Sequence, residues 1–234
     1  MPTVDATQTA LAGRSNQGSY DDAREGNSAF NTNNSTSSNV TTVRYILSTG
    51  RGGSSYSVTR FYAGFNMSAY QSGTITNLVL KYKPTTSSNA NNTARVVKFS
   101  GMGGNGTTFS AYSSDEYFDN IDTGTSYSTN ITLADSNTQQ SIPLNSTAVS
   151  NIGTNGALRI CIMQQNDFTG IDAGDPTNHF NNFNLQGSDA NKVFLEFDFT
   201  AAGYGNQVNV VAATNIDEVN GVDSGDIANV ISVT

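Results

Sequence analysis

A chain of 234 residues, 36% hydrophobic and only 13% charged, has room for one large domain or one domain with appendages. Its formal net charge of -8 argues against nucleic acid and anionic membrane surfaces as partners, because both demand basic patches. No apolar run approaches the roughly 20 residues needed to span a bilayer as a helix, which excludes that mode of membrane insertion.

Ser, Thr, Asn and Gly fill the gap left by apolar and charged residues. Such a chain folds if it is β-rich, since strands need only half their positions apolar. The single cysteine, Cys161, excludes an internal disulfide. Its place between Ile160 and Ile162 predicts a buried thiol acting as a small hydrophobe. The start, Met1-Pro2-Thr3-Val4-Asp5, lacks a basic n-region and an apolar h-region. The chain as given therefore reads as made in a cytoplasm without Sec export.

Residues 1–40 are polar and predicted to form an irregular N-terminal arm. Short helical turns are expected at Ala6 to Leu11 and at Tyr20 to Arg24, and a loop from Asn27 to Asn39. With too few apolar residues for its own core, the arm should lie on the main domain or be ordered by a partner. Val43 to Leu47 is the first clear strand, and Arg51-Gly52-Gly53 turns the chain.

Ser57 to Lys83 then reads as two long strands around the turn Gln71-Ser72-Gly73. Phe61, Ala63 and Phe65 share one face of the first, and Thr76, Leu78, Leu80 and Tyr82 share one face of the second. Each strand is expected to bury that face and wet the other. Pro84 ends the pair.

Arg95 to Phe99 is a further strand, and Thr107 to Tyr112 and Glu116 to Phe118 are shorter candidates. Tyr127, Thr129, Ile131 and Leu133 alternate with polar residues. Asn145, then Val149 and Ile152, then Gly153 predict one helix of two turns. Ala157 to Gln164 is the most apolar run and reads as a central strand. A polar excursion from Asn166 to Asn191 precedes the last strand, Val193 to Phe199, with Val193, Leu195, Phe197 and Phe199 inward. Short strands separated by turn signals, with no strand–helix–strand alternation, predict an all-β, two-sheet antiparallel β-sandwich over residues 41–200.

Residues 201–234 form a C-terminal repeat tail. Ile216-x-x-Val219-x-x-Val222 recurs as Ile227-x-x-Val230-x-x-Val233, with Val208 and Val211 on the same grid. Gly221, Gly225 and the β-branched residues disfavour a helix. Short β or turn repeats that dock on a neighbouring chain suit these residues better, because so small a unit cannot bury its apolar face alone.

Candidate chemistry is sparse. Acids cluster at Asp115, Glu116, Asp119 and Asp122, and again at Asp167, Asp172 and Asp175. Solvated loop acids are the plain reading. Of the sharper ones, calcium at Asp167, Asp172 and Asp175 is preferred to a glycosidase pair, because it needs no tuned pKa. Asn215, Asp217 and Asp223 fail as a calcium loop, since Val219 occupies a ligand position. One histidine, His179, placed in a polar loop, and one cysteine assemble no nucleophile–base pair, so no catalytic residue is assigned. Gly101 to Gly106 lacks the GKS/T ending of a phosphate cradle. Ten Tyr and twelve Phe without any Trp read as core packing rather than a sugar platform.

The order of elements resembles a jelly-roll sandwich found in phage structural proteins and in accessory modules of secreted carbohydrate-active proteins. Val58 to Phe65, Gly73 to Tyr82, Ile142 to Ile152 and Val193 to Phe199 carry that likeness. Ile216-Asp217-Glu218-Val219-Asn220-Gly221-Val222 is similar to I-x-x-V-N-G-V strings of phage tail and virion proteins, and Tyr20 to Arg24 to N-terminal pieces of such proteins. The resemblance implies a non-enzymatic, homo-oligomeric virion protein of a tailed phage, as capsid decoration or fibre. Ile216, Val219, Val222, Ile227, Val230 and Val233, or Tyr20 and Arg24, would fasten it to other virion proteins of capsid or tail, with a host-surface glycan as a further partner. A carbohydrate-binding module of a secreted or cell-surface protein is the alternative.

Overall fold

The computed structural model describes residues 1–25, 40–51, 53–84, 93–101, 114–132, 138–172, 178–184, 193–202, 218–219 and 222–223. The first half runs β1 (Thr3–Asp5), β2 (Gln8–Gln17), α1 (Tyr20–Glu25), β3 (Val40–Gly50), β4 (Gly53–Asn66), a 3₁₀ turn (Ser68–Tyr70), β5 (Thr74–Pro84) and β6 (Thr93–Phe99). Next come α2 (Ser114–Asp119), β7 (Ile121–Ser126), β8 (Ile131–Thr132), β9 (Gln140–Pro143), α3 (Ser146–Asn155), β10 (Ala157–Gln164) and α4 (Gln165–Thr169). β11 (Asn178–Asn184), β12 (Phe194–Thr200), β13 (Glu218–Val219) and β14 (Val222–Asp223) complete the order.

These strands build the antiparallel β-sandwich that the sequence predicts. One sheet runs β1-β12-β5-β9. The other is centred on β4, which pairs with β2 along one edge and with β3 and then β10 along the other. β10 continues to β6, and β6 to β7 and β8. β11 pairs with β3 and also touches β5 at Pro84 and Lys83, bridging the two sheets. The chain alternates between sheets from β4 to β5 to β6, and again from β9 to β10, in the manner of a jelly roll.

The apolar pattern explains the layers. Phe61, Ala63 and Phe65 of β4 meet Leu78, Leu80 and Tyr82 of β5, Ile160 and Ile162 of β10, and Leu195 and Phe197 of β12 between the sheets. Full burial of such side chains is worth about 1.5–3 kcal/mol each. α3 closes this core with Ala148 and Ile152. The side chain of Asn145 caps α3 by accepting from the amides of Thr147 and Ala148, and Gly156 ends it in the left-handed region at φ 61°. The helix thus runs one residue pair beyond the expected stop at Gly153.

Several expectations are corrected. Residues 1–25 are no irregular arm: β1 pairs with β12, β2 pairs with β4, and the chain crosses between the sheets at Ala6 and Thr7. Gln8 to Leu11 lies in β2 rather than in a helical turn, with Ala10 and Ala12 alternating into the core beside β4. The two long strands expected over Ser57 to Lys83 are β4 and β5, and they lie in opposite sheets.

Nor does β4 wet one face. Ser57 to Phe65 is buried throughout, with Val58 and Tyr62 in a second core on the outer face. A bulge in β5 also shifts the phase of its side chains: Val79 opposes Glu196 but Thr76 opposes Asp198. Asn77 takes the positive φ there, 52°, so Ile75 turns inward and Thr76 faces out. Glu116 to Phe118 belongs to the helix α2, which lays Tyr117 and Phe118 over the outer core. Thr107 to Tyr112 and Leu133 lie outside the described residues.

Candidate functional site

Two polar sites stand on this scaffold. The first is buried. Arg60 sits in the apolar run of β4, and both its Nε and Nη2 donate to Asp167 of α4, at 2.7 and 2.6 Å. Burial pulls the Arg60 pKa down, but the Asp167 carboxylate beside it outweighs that and holds the guanidinium charged. Arg24 of α1 donates through Nε to the Asp167 backbone carbonyl at 3.0 Å and lies 3.5 Å from its Oδ1. The Tyr20 hydroxyl donates to the Asn166 carbonyl at 2.6 Å. The Phe118 ring lies between two guanidinium groups, Arg14 at 4.0 Å and Arg60 at 4.1 Å. The cluster therefore locks α1, α2 and α4 onto the outer face of β4.

This geometry corrects the calcium reading at Asp167, whose two carboxylate oxygens are both engaged by Arg60. Asp172 is exposed and accepts from the Tyr56 hydroxyl at 2.9 Å, while Asp175 lies outside the described residues. Among the described residues no group of three His, Cys, Asp or Glu stands close enough to hold a metal ion. Tyr20 and Arg24 are committed to contacts within the chain.

Cys161 is fully buried, as its neighbours predict. Burial pushes its thiol pKa up, and likewise the phenol of Tyr62, whose hydroxyl donates to the Tyr117 carbonyl at 3.0 Å. A thiol so held is a packing group, not a nucleophile. The backbone of His179 pairs with Tyr45 inside β11 rather than looping, because the Asn-rich excursion from Asn166 to Asn191 contains that strand.

The second site is open. Where the C-terminal end of α3 meets the end of β6 and the start of β10, a cleft of about 230 Å³ is lined by Lys98, Ser100, Tyr127, Asn151, Asn155 and Arg159. Arg159 pairs with Gly64 of β4 and is followed in β10 by Ile160, which pairs with Lys98 of β6. Lys98 Nζ stands 3.7 Å from Asp122 Oδ2, a long pair between half-exposed groups. Among the described residues no carboxylate pairs with Arg159, and its Nε is buried without a hydrogen-bond partner. Burial and the charge of Asp122 push the Tyr127 pKa up, so its phenol keeps its proton.

Sequence reasoning missed Arg60, Lys98 and Arg159. The signal was available for two of them: Arg60 and Arg159 each interrupt an otherwise apolar strand. A charge in such a place must find a partner or line an opening.

In the tail, Glu218–Val219 pairs antiparallel with Val222–Asp223 as a two-stranded sheet of its own. The intervening sequence is Asn-Gly, the strongest short hairpin signal. Val219 and Val222 are thus opposite each other, while Ile216, Ile227, Val230 and Val233 lie outside the described residues. A comparison with known protein families finds no family model that matches the chain, and no curated protein matches it either.

Proposed function

We propose that this chain is a non-enzymatic structural protein of a tailed-phage virion, with its sandwich displayed on the particle as capsid decoration or fibre. The segment 201–234 fastens it to other virion proteins and to further copies of itself. The observation that carries this reading is the hairpin at Glu218–Asp223, which lies within the Ile/Val repeat and joins neither sheet of the sandwich. An isolated two-stranded hairpin is marginal in water. Its apolar residues gain by docking on a neighbour.

The chemistry of the described residues supports a non-enzymatic role. The one thiol is buried with its pKa pushed up, and the Asp167 carboxylate is held by Arg60. The net charge of -8 fits a protein-bound position better than a nucleic-acid one.

A density-gradient separation of the source culture's lysate, with mass spectrometry on each fraction, tests the reading. The chain is expected in the particle band at stoichiometric copy number. Recovery only among free secreted proteins would contradict it.

A further inference from the structure

We infer that the cleft between α3, β6 and β10 is a binding site for a carboxylate-bearing, polyhydroxylated ligand of monosaccharide size, an acidic sugar. The inference concerns the sandwich alone, so it stands or falls independently of the virion reading.

The charge comes first. In a chain of net charge -8, Lys98 and Arg159 place two cations in one opening. Lys98 is partly answered by Asp122 at 3.7 Å, whereas no described carboxylate answers Arg159. Arg159 lines the cleft with its Nε buried and unbonded, so its charge is answered by no group of the described chain, and a guanidinium is the cation best matched to a carboxylate.

Capping the nearby helix is not what Arg159 does. The carbonyls of Gly153 and Thr154 accept from Gln71 Nε2, and that of Ile152 from the Gly156 amide. The carbonyls at the end of α3 are therefore supplied from elsewhere, and the guanidinium is left for the cleft.

Of the remaining lining, Phe99 and Ala157 are apolar, and the other side chains are neutral and suited to hydroxyls. Asn151 and Asn155 stand one helical turn apart, and Asn155 commits its amide hydrogens to Asn151, which leaves its Oδ1 as an acceptor. Ser100 adds a hydroxyl, and Tyr127 a protonated phenol. Inorganic anions would use the cations but not this acceptor set. Neutral sugars would use the amides but leave Arg159 unanswered. At about 230 Å³ the opening suits one ring, below the span of drug-sized pockets.

The test is a ¹⁵N NMR titration of the full chain with sodium glucuronate, N-acetylneuraminate, glucose and acetate. Glucuronate or N-acetylneuraminate is expected to shift the resonances of Lys98, Ser100, Asn155 and Arg159, and to bind about tenfold more tightly than glucose or acetate. Arg159→Gln is expected to remove that preference without moving the thermal midpoint. Arg159→Lys, which keeps the charge but not the guanidinium, should restore only part of it. If acetate matches the acidic sugars, if glucose does, if nothing binds, or if the shifts fall elsewhere, the inference is overturned. Should Arg159→Gln fail to fold, Asn155→Leu and the shift map of the unsubstituted chain decide in the same way.

Discussion

At the scale of single residues, the most consequential contact is the one between Arg60 and Asp167. Both partners are buried, so removing one leaves an uncompensated charge in a low-dielectric interior. Asp167→Ala is expected to cost about 3–5 kcal/mol, read as a fall in the urea midpoint. The joint replacement Arg60→Met with Asp167→Leu should recover most of that loss, because well-packed apolar groups replace a buried pair at little cost. A double variant as unstable as the single one would show that the pair contributes more than charge compensation. Gly73 offers a second check. A Cβ there would overlap the Phe199 ring, so Gly73→Ala should destabilise by about 1–3 kcal/mol.

Half of this buried contact was visible in the sequence. Asp167 stood out as one of an acidic trio, yet its partner lay 107 positions upstream. Nothing local couples two such residues. Only the packing of α4 against the outer face of β4 brings them together. Cys161 was legible for the opposite reason: its immediate neighbours Ile160 and Ile162 already fixed its surroundings.

At the scale of elements, alternation carried the strands well where one face alone is buried. In β12, Leu195 and Phe197 point inward while Glu196 and Asp198 stay partly exposed. It misled in β4, because a strand covered on both faces reads as continuously apolar and hides its second core. It also misled in β5, where the bulge at Asn77 moved Thr76 to the outside. The N-terminal strands were missed because β1 is short and β2 is rich in polar and small residues, which leaves a weak apolar signal. Their place is set by hydrogen bonds to β4 and β12.

A chain lacking residues 1–17 is therefore expected to lose the native fold, since it removes the ladder along one whole edge of β4. Cooperative thermal unfolding of that truncation at an unchanged midpoint would contradict the assignment. The cap on α3 is a smaller matter. Asn145→Ala should cost about 1 kcal/mol, read in the same urea titration.

At the scale of the whole molecule, burial makes stability depend on pH on the alkaline side. Folded Cys161 and Tyr62 hold their protons more tightly than the unfolded chain does. Below the ordinary thiol and phenol values, about 9 and 10, both states are protonated and the stability is whole. As pH rises past them, the unfolded chain releases protons that the folded one retains, so stability falls. The slope is about 1.4 kcal/mol per pH unit for each such group. Cys161→Ala should delay the onset from about pH 9 toward pH 10, where the phenols take over.

The sandwich was legible as a whole from its short strands and turn signals. The cleft was not, because it is made by the meeting of three elements distant in sequence. The tail was legible as a repeat, but the Asn-Gly signal between its two short strands was overlooked. The measurement that bears most directly on its proposed fastening role is the mass in solution of the full chain against one ending at Thr200, by light scattering after size exclusion. The full chain is expected as a defined oligomer, and the truncation as a monomer with the same thermal midpoint. A truncation that keeps the oligomeric state would remove the tail from any part in assembly.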